Sequence, residues 1–320
     1  MNNQKEQIRA IVDEVCKVII GKRQCVEQIL CAILSNGHVM IEDIPGVGKT
    51  TMALAFARSM GLGYHRMQFT PDIMPSDITG FTFYKSDTGT FEYQQGAVMC
   101  NLFLADEINR TSPKTQSALL EVMEENSVTV DTVRYQVPQP FIVIATENPA
   151  GYTGTQLLPE SQLDRFAVSV VIGYPEPEDE IHILKSRAFE QPLAYVNPVI
   201  CKETLMEMQK EVSRVLVKDE VYRYIVNLAN ETRNHPGITQ GLSPRGTLTL
   251  AALSRAAAYM NGRNYVIPDD VLYVFGNVVR HRLVMSSEAK MNHQTMEMII
   301  ADVVRRVNKP VPERMKFHGK

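Results

Sequence analysis

No stretch of the 320-residue chain approaches the ~18–20 consecutive apolar residues that a membrane-spanning helix requires. The opening residues, Met1-Asn2-Asn3-Gln4-Lys5-Glu6, lack the apolar centre of a secretory signal, so a cytoplasmic protein with no integral membrane segment is expected. Cysteine is scarce. Cys16, Cys25, Cys31, Cys100 and Cys201 are odd in number and have no Cys-x-x-Cys spacing, which favours buried free thiols over a disulfide framework or a metal site. Positive charge is not in excess: 33 Lys and Arg stand against 36 Asp and Glu, for a formal net charge of −3. The global basic footprint of a nucleic-acid binder is therefore missing, although a local patch stays open. Low-complexity tracts and internal repeats are also absent. What remains, with 44% hydrophobic and 22% charged residues, is an ordinary globular composition of a length that suggests roughly two domains.

The most informative stretch is Asp43-Ile44-Pro45-Gly46-Val47-Gly48-Lys49-Thr50. His38-Val39-Met40-Ile41-Glu42 before it reads as a buried strand, and Thr51-Met52-Ala53-Leu54-Ala55-Phe56-Ala57 after it as a helix. Strand, glycine turn and helix N-terminus make a phosphate cradle. The backbone N–H groups turn inward, Lys49 reaches the terminal phosphates, and the Thr50 hydroxyl can ligate Mg²⁺. The full pattern asks for glycine where this chain has Asp43, and Pro45 stiffens the turn. The competing reading is a solvated turn ahead of an ordinary helix; the flanking strand and helix weigh for a nucleotide site.

Upstream, Ile8, Ile11, Val12, Val15 and Ile19 recur at helical spacing over about residues 5–19, and Val26, Ile29, Leu30, Ile33 and Leu34 mark a second helix ending at Asn36-Gly37. Between them, Val18-Ile19-Ile20-Gly21 can wall an adenine pocket or simply pack in the core. Downstream, Tyr64–Phe69 alternates as a strand, and the prolines of Thr70–Gly80 break it into turns or one short helix. Phe81–Tyr84 and Thr90–Tyr93 form a hairpin with a candidate exposed tip.

In Asn101-Leu102-Phe103-Leu104-Ala105-Asp106-Glu107 an apolar strand ends in two adjacent carboxylates, and strand alternation would send them to opposite sides. Asp106 would then hold Mg²⁺, through water, and Glu107 would polarise the water attacking a γ-phosphate; a solvated acid pair is the bland alternative. Ser112 caps a helix with Pro113 in its first turn, and 127–130 with 133–137 form a second hairpin. Phe141–Thr146 is a further strand, delivering Glu147-Asn148-Pro149 to the sheet edge where ligands of open α/β sheets bind. Asn148 can bond the γ-phosphate or merely form a turn. Leu157–Phe166 reads as a short helix with Leu163 and Phe166 inward and Arg165 outward, followed by a strand over 167–172. Gly173-Tyr174-Pro175-Glu176-Pro177 marks a domain boundary, giving residues 1–175 and 176–320. Beyond it the pattern is helical, near 178–190, 202–214, 218–233, 244–262, 268–284 and 293–307, with Ser243-Pro244-Arg245 as a helix start.

Taken together, these pieces resemble the AAA+ ATPases and, within them, closely the MoxR family. The likeness runs through Glu42–Thr50, Gln68–Asp72 with Pro75–Gly80, Leu104–Arg110, Pro113–Glu121, Ala145–Pro149, Leu163–Phe166, Gly241–Arg245 and Arg280–Arg282, covering about residues 7–284. It implies an α/β fold: a P-loop core with a parallel sheet, flanking helices and β-hairpin insertions, then an all-α lid. It implies ATP and Mg²⁺, with Ile20, Gly21, Gly46, Val47, Gly48, Lys49, Thr50 and Thr51 around the nucleotide, and Thr50 and Asp106 on the metal. It makes Glu107 the water activator, Asn148 the γ-phosphate sensor, Arg165 a finger reaching a neighbouring subunit, and Arg245 the second sensor on the lid. The site would be completed only in a homo-oligomeric ring, with hexamers the number the family suggests, and a chaperone-like role toward von Willebrand factor A-type partners is implied. Asp43 in place of glycine looks like the family's own variant. Ala150-Gly151-Tyr152-Thr153 departs from the acidic and glutamine residues usual there. The rival classes are a DNA-associated AAA+ motor, which the acidic balance disfavours, and a nucleotide-gated assembly module without turnover, which Glu107, Asn148 and Arg165 disfavour. A GTPase is disfavoured by the absence of an Asn-Lys-x-Asp signature.

Overall fold

The computed structural model describes residues 2–44, 46–147, 158–187 and 192–310. Helices α1 (Asn2–Cys16) and α2 (Arg23–Leu34) precede strand β1 (Val39–Glu42), and α3 (Lys49–Ser59) follows it. Next come β2 (Tyr64–Gln68), the short α4 (Pro75–Thr79), the hairpin of β3 (Gly80–Lys85) and β4 (Thr90–Gln95), and β5 (Leu102–Asp106). Helix α5 (Pro113–Glu125) leads into a second hairpin, β6 (Ser127–Val130) and β7 (Val133–Gln136), then β8 (Ile142–Glu147), α6 (Glu160–Leu163) and β9 (Val168–Val170). The rest comprises α7 (Pro177–Arg187), α8 (Lys202–Ser213), α9 (Asp219–Asn234), β10 (Ile238–Gln240), α10 (Pro244–Met260), α11 (Pro268–Val279), β11 (Val284–Met285), α12 (Ser287–Met291) and α13 (Met296–Arg306).

The central sheet has five parallel strands in the order β2-β5-β8-β1-β9. Parallel strands need both faces covered, and the alternation of side chains divides the core accordingly. Val39, Ile41, Leu102, Leu104, Ile142 and Ile144 pack into one cluster with α2, α3 and the lid helices; Met40, Phe103, Ala105, Val143 and Ala145 pack into another with α5. Ser112 caps α5 by accepting the Thr115 N–H at 3.3 Å, with Pro113 in the first turn. The two insertion hairpins are joined where the rings of Tyr93 and Tyr135 stack with centroids 3.9 Å apart.

Three expectations are corrected. Helix α1 stops at Cys16, not near residue 19: beyond it the Val18 and Ile19 amides both donate to the Val15 carbonyl, at 3.2 and 3.0 Å, so the chain tightens into turns. The lid helices are accompanied by one short antiparallel ribbon, β10 with β11, so the lid is not all-α in detail. Helix α11 ends at Val279, short of residue 284, and the chain beyond it turns to bury the Arg282 side chain.

Candidate functional site

Where β1 ends the chain makes the loop 43–48 and enters α3 at Lys49. Gly46 and Gly48 have φ of +89° and +95°, a region that L side chains rarely adopt, and Gly48 is the N-cap of α3. Gly46 is exposed and a Cβ there would meet nothing within 4 Å, so the loop ahead of the α3 N-terminus is open to solvent at this point. Lys49 is buried, and its Nζ donates to the Asp43 carbonyl at 2.6 Å. Burial pushes its pKa down, while Asp106, Asp43 and Glu107 act in the opposite sense. Thr50 and Thr51, in the first turn of α3, are half-buried.

The two acids stand at the end of β5. Asp106 Oδ1 accepts the Thr146 hydroxyl at 2.6 Å, and Oδ2 accepts Arg66 through Nε at 3.1 Å and a terminal nitrogen at 2.7 Å. Glu107 does not continue the strand. Its φ is +56°, so its direction is set by this left-handed turn and the expected strand alternation does not apply to it. Its amide donates to Thr146 Oγ1 at 2.8 Å, and its Oε2 accepts Gln68 at 2.8 Å and Arg110 at 2.7 Å. Thr146, Arg66 and Gln68 are the braces of this pair that reading the sequence missed. The register Gln68↔Asp106, which sets two β2 side chains against the acids, is the signal that would have found Arg66 and Gln68.

Beside the loop lies a cavity of roughly 300 Å³ whose walls include Ile19, Ile20, Val47, Gly173 and Leu184. Val18 and Ile19 belong to the core and also line this cavity together with Ile20, so the packing alternative holds for the first two and the cavity is the place where a base would lie. Gly21 has a φ of +73°, where any side chain would be strained, and a Cβ there would also force the Asp179 carboxylate to move.

Arg165 and Arg245 lie elsewhere. Both pair with Glu124 of α5, Arg165 at 3.1 Å and Arg245 through a short contact, beside His38 at the opposite end of β1 from the phosphate loop. Arg165 is half-buried, not turned outward as expected, and its Nε is buried without a hydrogen-bond partner among the described residues. Next to it, Asp164 accepts Arg282 Nε at 2.7 Å and the Ser243 hydroxyl at 2.9 Å, pinning the start of α10 to the segment that carries Arg165. Pro45, Asn148, Gly154, Thr155, Leu157 and the Ala150-Gly151-Tyr152-Thr153 departure lie outside the described residues.

The residues present fit a nucleotide with a divalent cation. An open glycine turn faces a helix N-terminus, a buried cation stands at its end, and a hydroxyl and two carboxylates are available as oxygen donors.

A parallel sheet carrying a glycine loop and an acid pair at its strand ends, followed by a helical lid, defines an AAA+ ATPase. The family profile described as ATPase family associated with various cellular activities (AAA) matches residues 38–168, and that of the AAA lid domain matches 230–303. A crystal structure of a candidate ATPase from Cytophaga hutchinsonii superposes with a TM-score of 0.89 at 34% identity, over 97% of each chain. The uncharacterized protein YeaC of Bacillus subtilis is 46% identical over 94% of both chains. The chaperone MoxR1 of Mycobacterium tuberculosis is 38% identical over 93% of this chain and 81% of its own. The chain belongs to the MoxR family of AAA+ ATPases.

Proposed function

We propose that the protein hydrolyses ATP to ADP and phosphate as one subunit of a homo-oligomeric ring, a hexamer by family likeness, and uses the cycle to remodel a protein partner as a chaperone does. The observation that carries this is the separation just described. Lys49, Asp106 and Glu107 stand at one end of the sheet, while Arg165 and Arg245 share Glu124 at the other. Arginines so placed are out of position for their own chain's phosphates and are suited to a neighbour's.

In this reading Ile20, on the cavity wall, and Gly21, next to it in the chain, border the base, and Gly46, Val47, Gly48 and Thr51 present the α3 N-terminus to the phosphates. Thr50 and Asp106 would hold Mg²⁺, which when bound supplies counter-charge to the β- and γ-phosphates. Lys49 leaves the Asp43 carbonyl for the terminal phosphates. Glu107, held by Gln68 and Arg110, orients and polarises the attacking water. Asn148 contacts the γ-phosphate, and the neighbour's Arg165 and Arg245 stabilise the charge that develops there. Residues 1–175 act as the nucleotide-binding core and 176–320 as the lid. A von Willebrand factor A-domain protein is the partner class, and the cytoplasm the location. Among the described residues no helix is long and apolar enough to cross a membrane.

Mixing two inactive variants tests the reading. Arg165→Ala and Glu107→Gln subunits should each be inactive alone and should regain part of the activity when combined, because some interfaces then pair an intact Glu107 with an intact Arg165. Normal steady-state hydrolysis by Arg165→Ala alone would sink the shared site.

A further inference from the structure

Asp43 occupies the loop position where the general phosphate-loop pattern has glycine, and its side chain is only 5% exposed. Its Oδ1 accepts the Ile44 N–H at 2.8 Å, and its Oδ2 accepts the N–H groups of Ile172 at 2.7 Å and Gly173 at 2.6 Å. Bonds from backbone N–H groups to a carboxylate are roughly twice as strong as neutral ones. The donors come from two places: Ile44 belongs to the phosphate loop, whereas Ile172 and Gly173 lead from β9 toward α7 and border the base cavity. Lys49 is tied to the same residue through the Asp43 carbonyl. Glycine at this position would offer no acceptor to either amide.

We propose that Asp43 is a positioning residue that fixes the phosphate loop at a set distance from the wall of the base cavity, so that one nucleotide engages both together. The inference rests on reading the loop as an ATP site. Two subsites held in a fixed relation bind a ligand that spans them far more tightly than either alone, because the second contact is made at high effective concentration. Without the tie the β1–β9 ladder, which ends at Ile41 and Val170, still relates the two, but the segments beyond it that form the cradle and the cavity wall gain freedom relative to each other. A spanning ligand then loses affinity, and a ligand that touches only the cradle does not.

ADP spans both subsites and pyrophosphate fills only the cradle. In calorimetric titrations of the full chain with Mg²⁺ present, Asp43→Asn should weaken ADP binding about tenfold. It should leave pyrophosphate within a factor of about two, because the effective-concentration gain applies only to a ligand that spans both subsites. The substitution keeps the shape but turns an N–H₂ group toward the segment that carries the two N–H donors. An equal loss for both ligands, or none for either, overturns the proposal, since an ordinary structural role does not separate them. Asp43→Gly provides the same comparison with the residue of the general pattern. If neither variant folds, hydrogen exchange in the wild type decides: pyrophosphate should slow exchange at the Ile172 and Gly173 amides, and unchanged rates overturn the tie. Failure of wild-type protein to bind either ligand would remove the nucleotide reading and this proposal with it.

Discussion

The Thr146 hydroxyl donates to Asp106 Oδ1 at 2.6 Å while accepting the Glu107 amide at 2.8 Å, so one buried side chain braces both candidate catalytic acids. Thr146 is fully buried at the C-terminal end of β8, where no water can replace it without displacing the strand. Thr146→Val keeps the shape and removes both bonds, leaving a carboxylate oxygen and an amide unsatisfied. That should cost about 1–3 kcal/mol of stability in urea unfolding. Loss of the bracing should lower kcat for ATP roughly tenfold or more, since small misplacements of reacting groups carry large rate penalties. Unchanged turnover would show that Thr146 serves only the strand.

Glu107→Gln keeps the bonds that Gln68 and Arg110 can make to an amide oxygen but removes the charge proposed to polarise the water. Turnover measured by phosphate release should fall about 10²–10⁴-fold. ATP affinity should stay close to that of the wild type, because Glu107 is only the smallest of the three acidic influences on Lys49, after Asp106 and Asp43, and the backbone N–H groups at the start of α3 are untouched by the substitution. A parallel loss of affinity would move Glu107 from the water to the nucleotide.

Much of this site was legible in one dimension because its parts are periodic or local. An apolar run ending in Asp106-Glu107 and a glycine turn between strand and helix are patterns within a few residues. The braces were not legible, because they depend on register and on long-range pairing. Arg66 meets Asp106 only because β2 lies beside β5 with Gln68 opposite Asp106. Asp43 finds its donors at Ile172 and Gly173, across the junction of β1 with β9. Glu124 sits on the outer face of α5 and reads as a solvated charge until Arg165 and Arg245 are brought to it. The ribbon of β10 and β11 is too short for alternation to reveal it.

Glu147 is paired in register with Glu42 at the same end of the sheet as the phosphate loop. Burial first, and the neighbouring Glu42 carboxylate second, push its pKa up to about 7 from the ordinary glutamate value of 4.5. The sign follows directly. Between about pH 4.5 and 7 the unfolded chain ionises this group while the folded chain keeps it protonated, so stability falls as pH rises through that window and then levels. Glu147→Gln removes the penalty. Its unfolding free energy should match that of the wild type near pH 4 and exceed it at pH 8 by on the order of 3 kcal/mol, from a rise of about 2.5 pKa units at about 1.4 kcal/mol per unit. Denaturant unfolding at the two pH values checks this, and a gain that does not depend on pH would assign the effect to packing.

Arg165 and Arg245 share the Glu124 carboxylate, one oxygen each. Two guanidinium groups brought this close repel unless a counter-charge lies between them. Arg165 also has a buried Nε that finds no partner among the described residues, so its direction depends on its terminal nitrogens. Glu124→Gln keeps one acceptor oxygen and removes the charge. Because Glu124 and Arg245 are substantially exposed, the cost in stability should stay below about 1 kcal/mol. In the proposed ring the cost in activity should be larger, because arginines splayed from their paired geometry would present less charge to the neighbour's site. Turnover at protein concentrations that saturate assembly should fall roughly tenfold, the scale on which misplaced charged groups lower rates, with KM for ATP unchanged. Raising ionic strength should produce a milder version of the same loss in the wild type by screening the pair. If Glu124→Gln instead hydrolyses faster, the carboxylate restrains the two arginines and does not present them.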